Sequence, residues 1–141
     1  MKSSARIFLS YARKDKDAVE AIYSELITQG HKPWMDSQDI LPGEDFRRAI
    51  EKAIQNSDLI LACLSSNSVD RRGFIQRELK QALDLWRERL ESDIYIIPVR
   101  LEDCRTPESL ANFQWVDLFK KDGWSKLLKA IAVALKRLSS K

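Results

Sequence analysis

The sequence predicts an α/β domain built on a five-stranded parallel sheet with helices on both faces. Three observations carry that prediction. Short apolar runs alternate with amphipathic stripes in the order β-α-β-α-β-α-β-(α)-β-α, the order that right-handed crossovers produce in one sheet. One run, Asp58-Leu59-Ile60-Leu61-Ala62-Cys63-Leu64, is apolar almost throughout, as a central strand covered on both faces must be. The chain has 141 residues, 44% of them apolar and 32% charged, which is one domain's worth with material for a real core. Residues 1–141 therefore read as a single domain, without an internal repeat or interdomain linker. Ser139-Ser140-Lys141 suits the start of a linker, as in the N-terminal domain of a longer protein.

The first strand is Arg6-Ile7-Phe8-Leu9-Ser10, a buried run that ends in a polar loop. Val19, Ile22, Tyr23, Leu26 and Ile27 then fall on one face of a helix. Asp15 or Asp17 suits its first turn, and Gly30 suits its close. Pro33-Trp34-Met35-Asp36 reads as a brief second strand, its proline favouring a strand start or an edge. Residues 37–44 form a loop with Pro42-Gly43 as the turn signal. Phe46, Ile50, Ala53 and Ile54 mark the second helix, which leads into the third strand at residues 58–64. Ser65-Ser66-Asn67-Ser68 breaks that run, and a long third helix follows with Ile75, Leu79, Ala82, Leu83 and Trp86 on one stripe. Ile94-Tyr95-Ile96-Ile97-Pro98-Val99 is the fourth strand, residues 106–112 are irregular or a short helix, and Trp115-Val116-Asp117-Leu118 is the fifth strand. Trp124, Leu127, Leu128, Ile131, Leu135 and Leu138 build the last helix.

Composition removes several function classes. One histidine, His31, leaves too few ligands for a zinc site and no likeness to a Ser-His-Asp set. His31 follows a helix end, which fits a cation complementing the dipole or a plain surface residue. Cys63 lies in an apolar strand and reads as an inert buried thiol, while Cys104 lies in a loop. No metal-ligand set is expected. Neither GxGxxG nor GxxxxGK[ST] occurs, so the usual phosphate-cradling loops of dehydrogenases and P-loop NTPases are lacking. No apolar run reaches membrane-spanning length, and the start turns charged too early for a signal peptide. A cytoplasmic protein with no membrane partner is the expectation. The net charge of +3 is uneven, because residues 118–141 hold seven Lys/Arg and one acid, Asp122. No aromatic residues interleave those cations as a base-stacking surface would. They read as the solvated face of the last helix, so no nucleic-acid partner is expected.

In a sheet of this kind ligands bind beyond the carboxyl ends of the strands. Those ends are the loops at residues 10–15, 36–44, 65–73, 100–107 and 118–123. Near the third of them stands Phe74-Ile75-Gln76-Arg77-Glu78. With the Ile75/Leu79/Ala82/Trp86 stripe inward, Glu78 falls about 80° from its centre, at the boundary of core and solvent. There it either meets a ligand beside the Phe74 ring or pairs with a neighbouring Arg or Lys on the surface. Ile40 and Leu41 are apolar residues in a loop, so they either fold back or offer a contact surface. Trp34 and Trp115 are core or pocket-wall residues, with core the default.

Together these segments resemble the TIR domain, the Toll/interleukin-1 receptor module, from about Arg6 to Leu138. Phe8-Leu9-Ser10-Tyr11 resembles the family's first box. Trp34-Met35-Asp36, with Ile40-Leu41-Pro42-Gly43 and Phe46, resembles its second strand and following loop. Leu59-Ile60-Leu61-Ala62-Cys63-Leu64-Ser65 resembles its third strand. Phe74-Ile75-Gln76-Arg77-Glu78-Leu79 resembles the helix that bears the catalytic glutamate of enzymatic members. The resemblance implies a flavodoxin-like TIR fold and two functional classes. One class cleaves NAD+ at the nicotinamide–ribose bond, as a glycohydrolase or cyclase. It would make Glu78 the catalytic residue and place Tyr11, Arg13 and Asp36 near the ligand. Phe74 and Trp34 would complete the substrate-binding set. The family often carries tryptophan at the position of Phe74; the phenyl ring keeps an aromatic wall without the indole N–H. NAD+ would be substrate, with no separate cofactor. The other class is a non-catalytic scaffold that signals by homotypic contact with other TIR domains, here through Ile40, Leu41, Pro42 and Gly43. The first class would be activated by self-association and would serve immune or antiphage signalling.

One carboxylate suffices for the first class. Nicotinamide in NAD+ is already a pyridinium and departs neutral, so the second carboxyl group of ordinary glycoside hydrolysis is not required. Two further readings compete. A phospho-receiver needs an acidic cluster after the first strand and an aspartate after the third; here those strands end Ser10-Tyr11 and Leu64-Ser65. A nucleoside deoxyribosyltransferase shares the glycosidic chemistry and a related architecture.

Overall fold

A computed structural model describes residues 4–69, 77–89 and 95–139. Its strands are β1 (Arg6–Ser10), β2 (Lys32–Trp34), β3 (Leu59–Leu64), β4 (Tyr95–Arg100) and β5 (Val116–Asp117). Its helices are α1 (Lys16–Thr28), α2 (Asp36–Asp39), α3 (Phe46–Gln55), α4 (Arg77–Arg89) and α5 (Gly123–Ser139). The sheet runs β2-β1-β3-β4-β5, and every pairing is parallel. β3 is the middle strand and all six of its residues are buried, which is why its sequence is apolar without alternation.

Side chains alternate across the sheet and divide the core in two. On one face Ile7, Leu9, Leu59, Leu61, Cys63 and Val99 pack against α1 through Val19, Ile22 and Leu26, and against α5 through Leu127, Ile131 and Leu135. On the other face Phe8, Ile60, Ala62, Leu64 and Ile96 pack against Ile54 of α3 and Ala82, Leu83 and Trp86 of α4. α5 starts close against β5. A Cβ on Gly123 would stand 2.4 Å from the Asp117 carbonyl oxygen and 2.8 Å from Leu118 Cα.

Both prolines of the sheet lie toward its rims. The Lys32 N–H points at the Ala5 carbonyl beside β1, so by alternation Pro33 faces away from β1. In β4 the Tyr95 N–H reaches Asp58 O on the β3 side, while Arg100 O accepts the Leu118 N–H on the β5 side. Pro98 shares the outward phase of Arg100, and β5 pairs only with Val99 and Arg100. Each proline thus puts its missing N–H where no inner ladder bond is lost.

Several sequence expectations need correction. The second strand is shorter than expected, and residues 36–39 form a helical turn instead of a loop. The Asp39 carboxylate makes the difference, since it accepts the Met35 N–H at 3.0 Å and the Tyr23 hydroxyl at 3.3 Å. This satisfies the donor at the turn's start and pins it to α1. Asp15 precedes α1 but makes no side-chain capping bond. His31 is not a dipole-complementing cation, because its Nδ1 accepts the Ala5 N–H at 3.1 Å. Burial lowers its pKa, which keeps the ring neutral. Trp115 is not core; it is 36% exposed, with the Arg100 guanidinium 5.4 Å from its ring centroid. A cation over the ring stabilises it at the surface. The short helix expected within residues 106–112 is a 3-10 turn at Glu108–Leu110.

Candidate functional site

A cleft of about 410 Å³ opens beyond the carboxyl ends of β1 and β2. Phe8 and Trp34 are register partners on these strands. Their rings stack 5.1 Å apart at 14° and form the inner wall. Trp34 is half-buried and meets both expectations, packing on the core cluster beside Phe8 and lining the cleft. Ile40, Phe46 and Ile50 make the apolar side opposite, and Gln81 and Ala82 of α4 close another side.

The polar side comes from the chain leaving β1 and the turn after β2. The Tyr11 hydroxyl donates a short hydrogen bond to Asp36 Oδ1. Ser37 Oγ lies 3.2 Å from the same phenolic oxygen, and the Ser37 N–H reaches Asp36 Oδ1 at 2.8 Å. Burial, then the hydrogen bond to Asp36, drives the Tyr11 pKa far above its ordinary value. Tyr11 is therefore a fixed donor and not a proton acceptor. Arg13 and Lys16 add cations to the same side. Sequence reasoning missed Lys16 and Gln81. Their signals were present, Lys16 one residue past the first strand-end loop and Gln81 one helical turn beyond Glu78.

The loop expected to mediate self-association divides. Ile40 lines the cleft, whereas Leu41 is 65% exposed. Pro42-Gly43 forms a reverse turn, closed by Glu44 N–H to Leu41 O at 3.1 Å, with Gly43 at φ +88°. Glu44 Oε1 accepts the Leu41 N–H at 2.7 Å. Asp45 then caps α3 by accepting the Arg48 N–H at 3.0 Å. Leu41, Pro42 and Gly43 are not among the cleft-lining residues.

Of the other predicted residues, Phe74 lies outside the described residues. Glu78 is the second residue of α4, one turn before Gln81 and Ala82; its side chain is outside the described part. The cysteines offer no reactive thiolate. Burial pushes the Cys63 thiol up to about 12, and it raises Cys104 as well.

Across the remaining strand ends, polar side chains tie loops together. Ser65 Oγ and Asn67 Nδ2 donate to the two oxygens of Asp15, at 2.5 and 2.7 Å. Glu102 accepts both the N–H and the hydroxyl of Ser66 at 2.6 Å, and these bonds hold its pKa below the ordinary value. Arg100 bonds Asp117 at 2.5 Å between the rings of Trp115 and Phe119. No helix among the described residues is long and apolar enough to cross a membrane.

The sequence and the topology have counterparts among known proteins. A relative from Paracoccus denitrificans, the NAD(+) hydrolase PdTIR, is 35% identical over 74 residues, covering 52% of this chain and 24% of the relative. The protein y4cD of Sinorhizobium fredii is 30% identical over 107 residues, covering 76% of this chain and 16% of its own length. The chain thus spans a quarter or less of these curated relatives. Among solved structures, the TIR domain of the Toll-related receptor TRR-2 from Hydra magnipapillata superposes with a TM-score of 0.74. It is 22% identical over 91% of this chain and 98% of that one, a likeness of fold. The family model for the TIR domain matches residues 7–131, from the first strand well into α5, and this chain belongs to the TIR domain family.

Proposed function

We propose that this TIR domain is an NAD+ nucleosidase, cleaving the bond between nicotinamide and ribose at the cleft beyond β1 and β2. The observation that carries the reading is the make-up of that cleft. A stacked aromatic wall, a donor-carboxylate pair and two cations converge on one opening, and α4 brings Glu78 within one turn of its edge. The activity in the name of the Paracoccus relative supports it. In the reaction the C1′–N bond breaks and its electron pair stays on nicotinamide, which leaves neutral. The ribose acquires oxocarbenium character. Glu78 is assigned to that positive charge, as an electrostatic stabiliser or as the covalent partner of C1′. In the hydrolase case water adds to C1′ of the ADP-ribosyl cation and releases a proton; in the cyclase case a nucleophilic atom elsewhere on the same ADP-ribosyl cation bonds to C1′ in place of water and closes the ring. Tyr11, Arg13, Trp34, Asp36 and Phe74 are assigned to substrate binding. Tyr11 holds Asp36 in place for a ribose hydroxyl. No further cofactor enters this scheme.

We assign the activity to the cytoplasm and to a self-associated state with other TIR domains, in immune or antiphage signalling. The exposed Leu41 on its rigid turn supports the contact. It equally favours the second reading, a scaffold without catalysis. The test is to incubate concentrated protein with NAD+ and resolve nicotinamide and ADP-ribose products by chromatography. Glu78→Gln should lose about 10²–10³ in rate while keeping the fold. Absence of nicotinamide release from assembled wild-type protein would overturn the enzymatic reading and favour the scaffold.

A further inference from the structure

Asp15 is a buried charge that the scheme above leaves unused. It is 8% exposed and ends the 3-10 turn Arg13–Asp15. A buried carboxylate is costly unless its oxygens are bonded. Here one oxygen takes the Ser65 hydroxyl at 2.5 Å and the other takes the Asn67 amide at 2.7 Å. The Asn67 N–H adds a bond to Ser65 Oγ at 3.0 Å. This brace spans 50 residues or more of sequence and joins the end of β1 to the end of β3. Arg13, two residues before Asp15, and Lys16, the next residue after it, are exposed cations on the cleft rim. Lys16 has only a loose surface pair with Glu20 at 3.7 Å. Side chains on a short exposed turn hold no fixed place by themselves; the brace gives this turn one.

We propose that Asp15 is a positioning residue that holds Arg13 and Lys16 at the rim, where they select for the phosphates of the substrate. This rests on the reading of the cleft as an NAD+ site. NAD+ carries two phosphates, and nicotinamide riboside presents the same scissile bond with none. The role therefore has a signature that general stability lacks: its loss weakens NAD+ and spares the riboside.

The test compares Asp15→Ala, Asp15→Asn and Lys16→Gln with wild type. KM and kcat are measured for NAD+, nicotinamide riboside is measured as substrate or competing ligand, and ADP-ribose affinity is measured by calorimetry. Both Asp15 variants remove the same negative charge from beside two cations, which by charge alone would tighten phosphate binding. The positioning role predicts the opposite for alanine. Asp15→Ala should raise KM for NAD+ and Kd for ADP-ribose about five-fold, with the loss in KM more than kcat and the riboside unmoved. Asp15→Asn, which keeps the shape and an acceptor for Asn67, should restore both. Lys16→Gln should show the same selective loss. If Asp15→Ala fails to fold, Ser65→Ala combined with Asn67→Ala removes the brace from its far side and should reproduce the pattern. Equal losses for dinucleotide and riboside, or identical behaviour of the alanine and asparagine variants, would overturn the proposal. Wild-type protein that cleaves neither substrate would sink the NAD+ reading alone. The ADP-ribose titration then decides the rim by itself: weaker binding in Asp15→Ala sustains it, and no difference or no binding overturns it.

Discussion

His31 illustrates how one bond sets the chemistry of a side chain. Its Nδ1 accepts the Ala5 N–H at the start of β1, and a protonated ring would lose that acceptor. The folded pKa lies below the ordinary 6.5 because burial disfavours the cation. The native state therefore binds fewer protons than the unfolded chain, and stability rises with pH across this range. The contribution is full above the unfolded pKa and is lost as pH falls through the folded one. The melting temperature should drop between pH 7.5 and pH 5.5, and His31→Asn, which keeps an acceptor without a titration, should flatten that part of the profile in a thermal-shift series. From sequence, histidine after a helix suggests a cation, because the dipole is local and the Ala5 donor lies 26 residues away. Asp15 is a similar case. An aspartate before a helix has the same local signal whether it caps that helix or braces a distant loop. Tyr11 and Asp36 were named for the site by the resemblance to the TIR domain; they meet because the chain leaves β1 and β2 at the same end of the sheet, where the Tyr11 hydroxyl donates to Asp36 Oδ1.

At the scale of elements, the legible parts are those whose pattern is set by burial. β3 reads as central because both its faces are covered, and α1 reads from its stripe. β2 and α2 were harder, because three exposed or half-buried residues leave little pattern and the turn after them is held by the side chain of Asp39. Two glycines test how the loops are built, in different ways. Gly43 sits at φ +88° with open space around a prospective Cβ, so Gly43→Ala should cost about 1 kcal/mol through backbone conformation alone. At Gly123 the obstacle is steric, since a Cβ would collide with the backbone of Asp117 and Leu118. Gly123→Ala should cost more, about 2–3 kcal/mol, by pushing α5 away from β5. Urea unfolding of both variants ranks them, and an equal ranking would contradict the close approach at β5.

At the scale of the molecule, the split between Ile40 and Leu41 lets the proposed catalysis and the proposed assembly be tested apart. Ile40 belongs to the cleft wall, so changing it disturbs the site. Leu41 stands clear of it, and its burial against a neighbour would contribute up to about 1.5–3 kcal/mol. If self-association activates the domain, specific activity should climb with protein concentration and Leu41→Asp should flatten the climb without changing the dilute rate. A flat wild-type series in folded, active protein would dismiss assembly as the trigger. The sheet constrains what such an assembly looks like. Pro33 faces out from the β2 rim, and the opposite rim is the two-residue β5. Within β2 no amide hydrogen is left to offer outward, and β5 is too short to present a row of them. Adding strand to strand into a continuous ribbon, the route by which exposed sheets run on into fibrils, is disfavoured at such rims. If copies of this chain associate, side chains on loops and helices are the contacts left to join them, and an assembly of that kind would disperse on dilution.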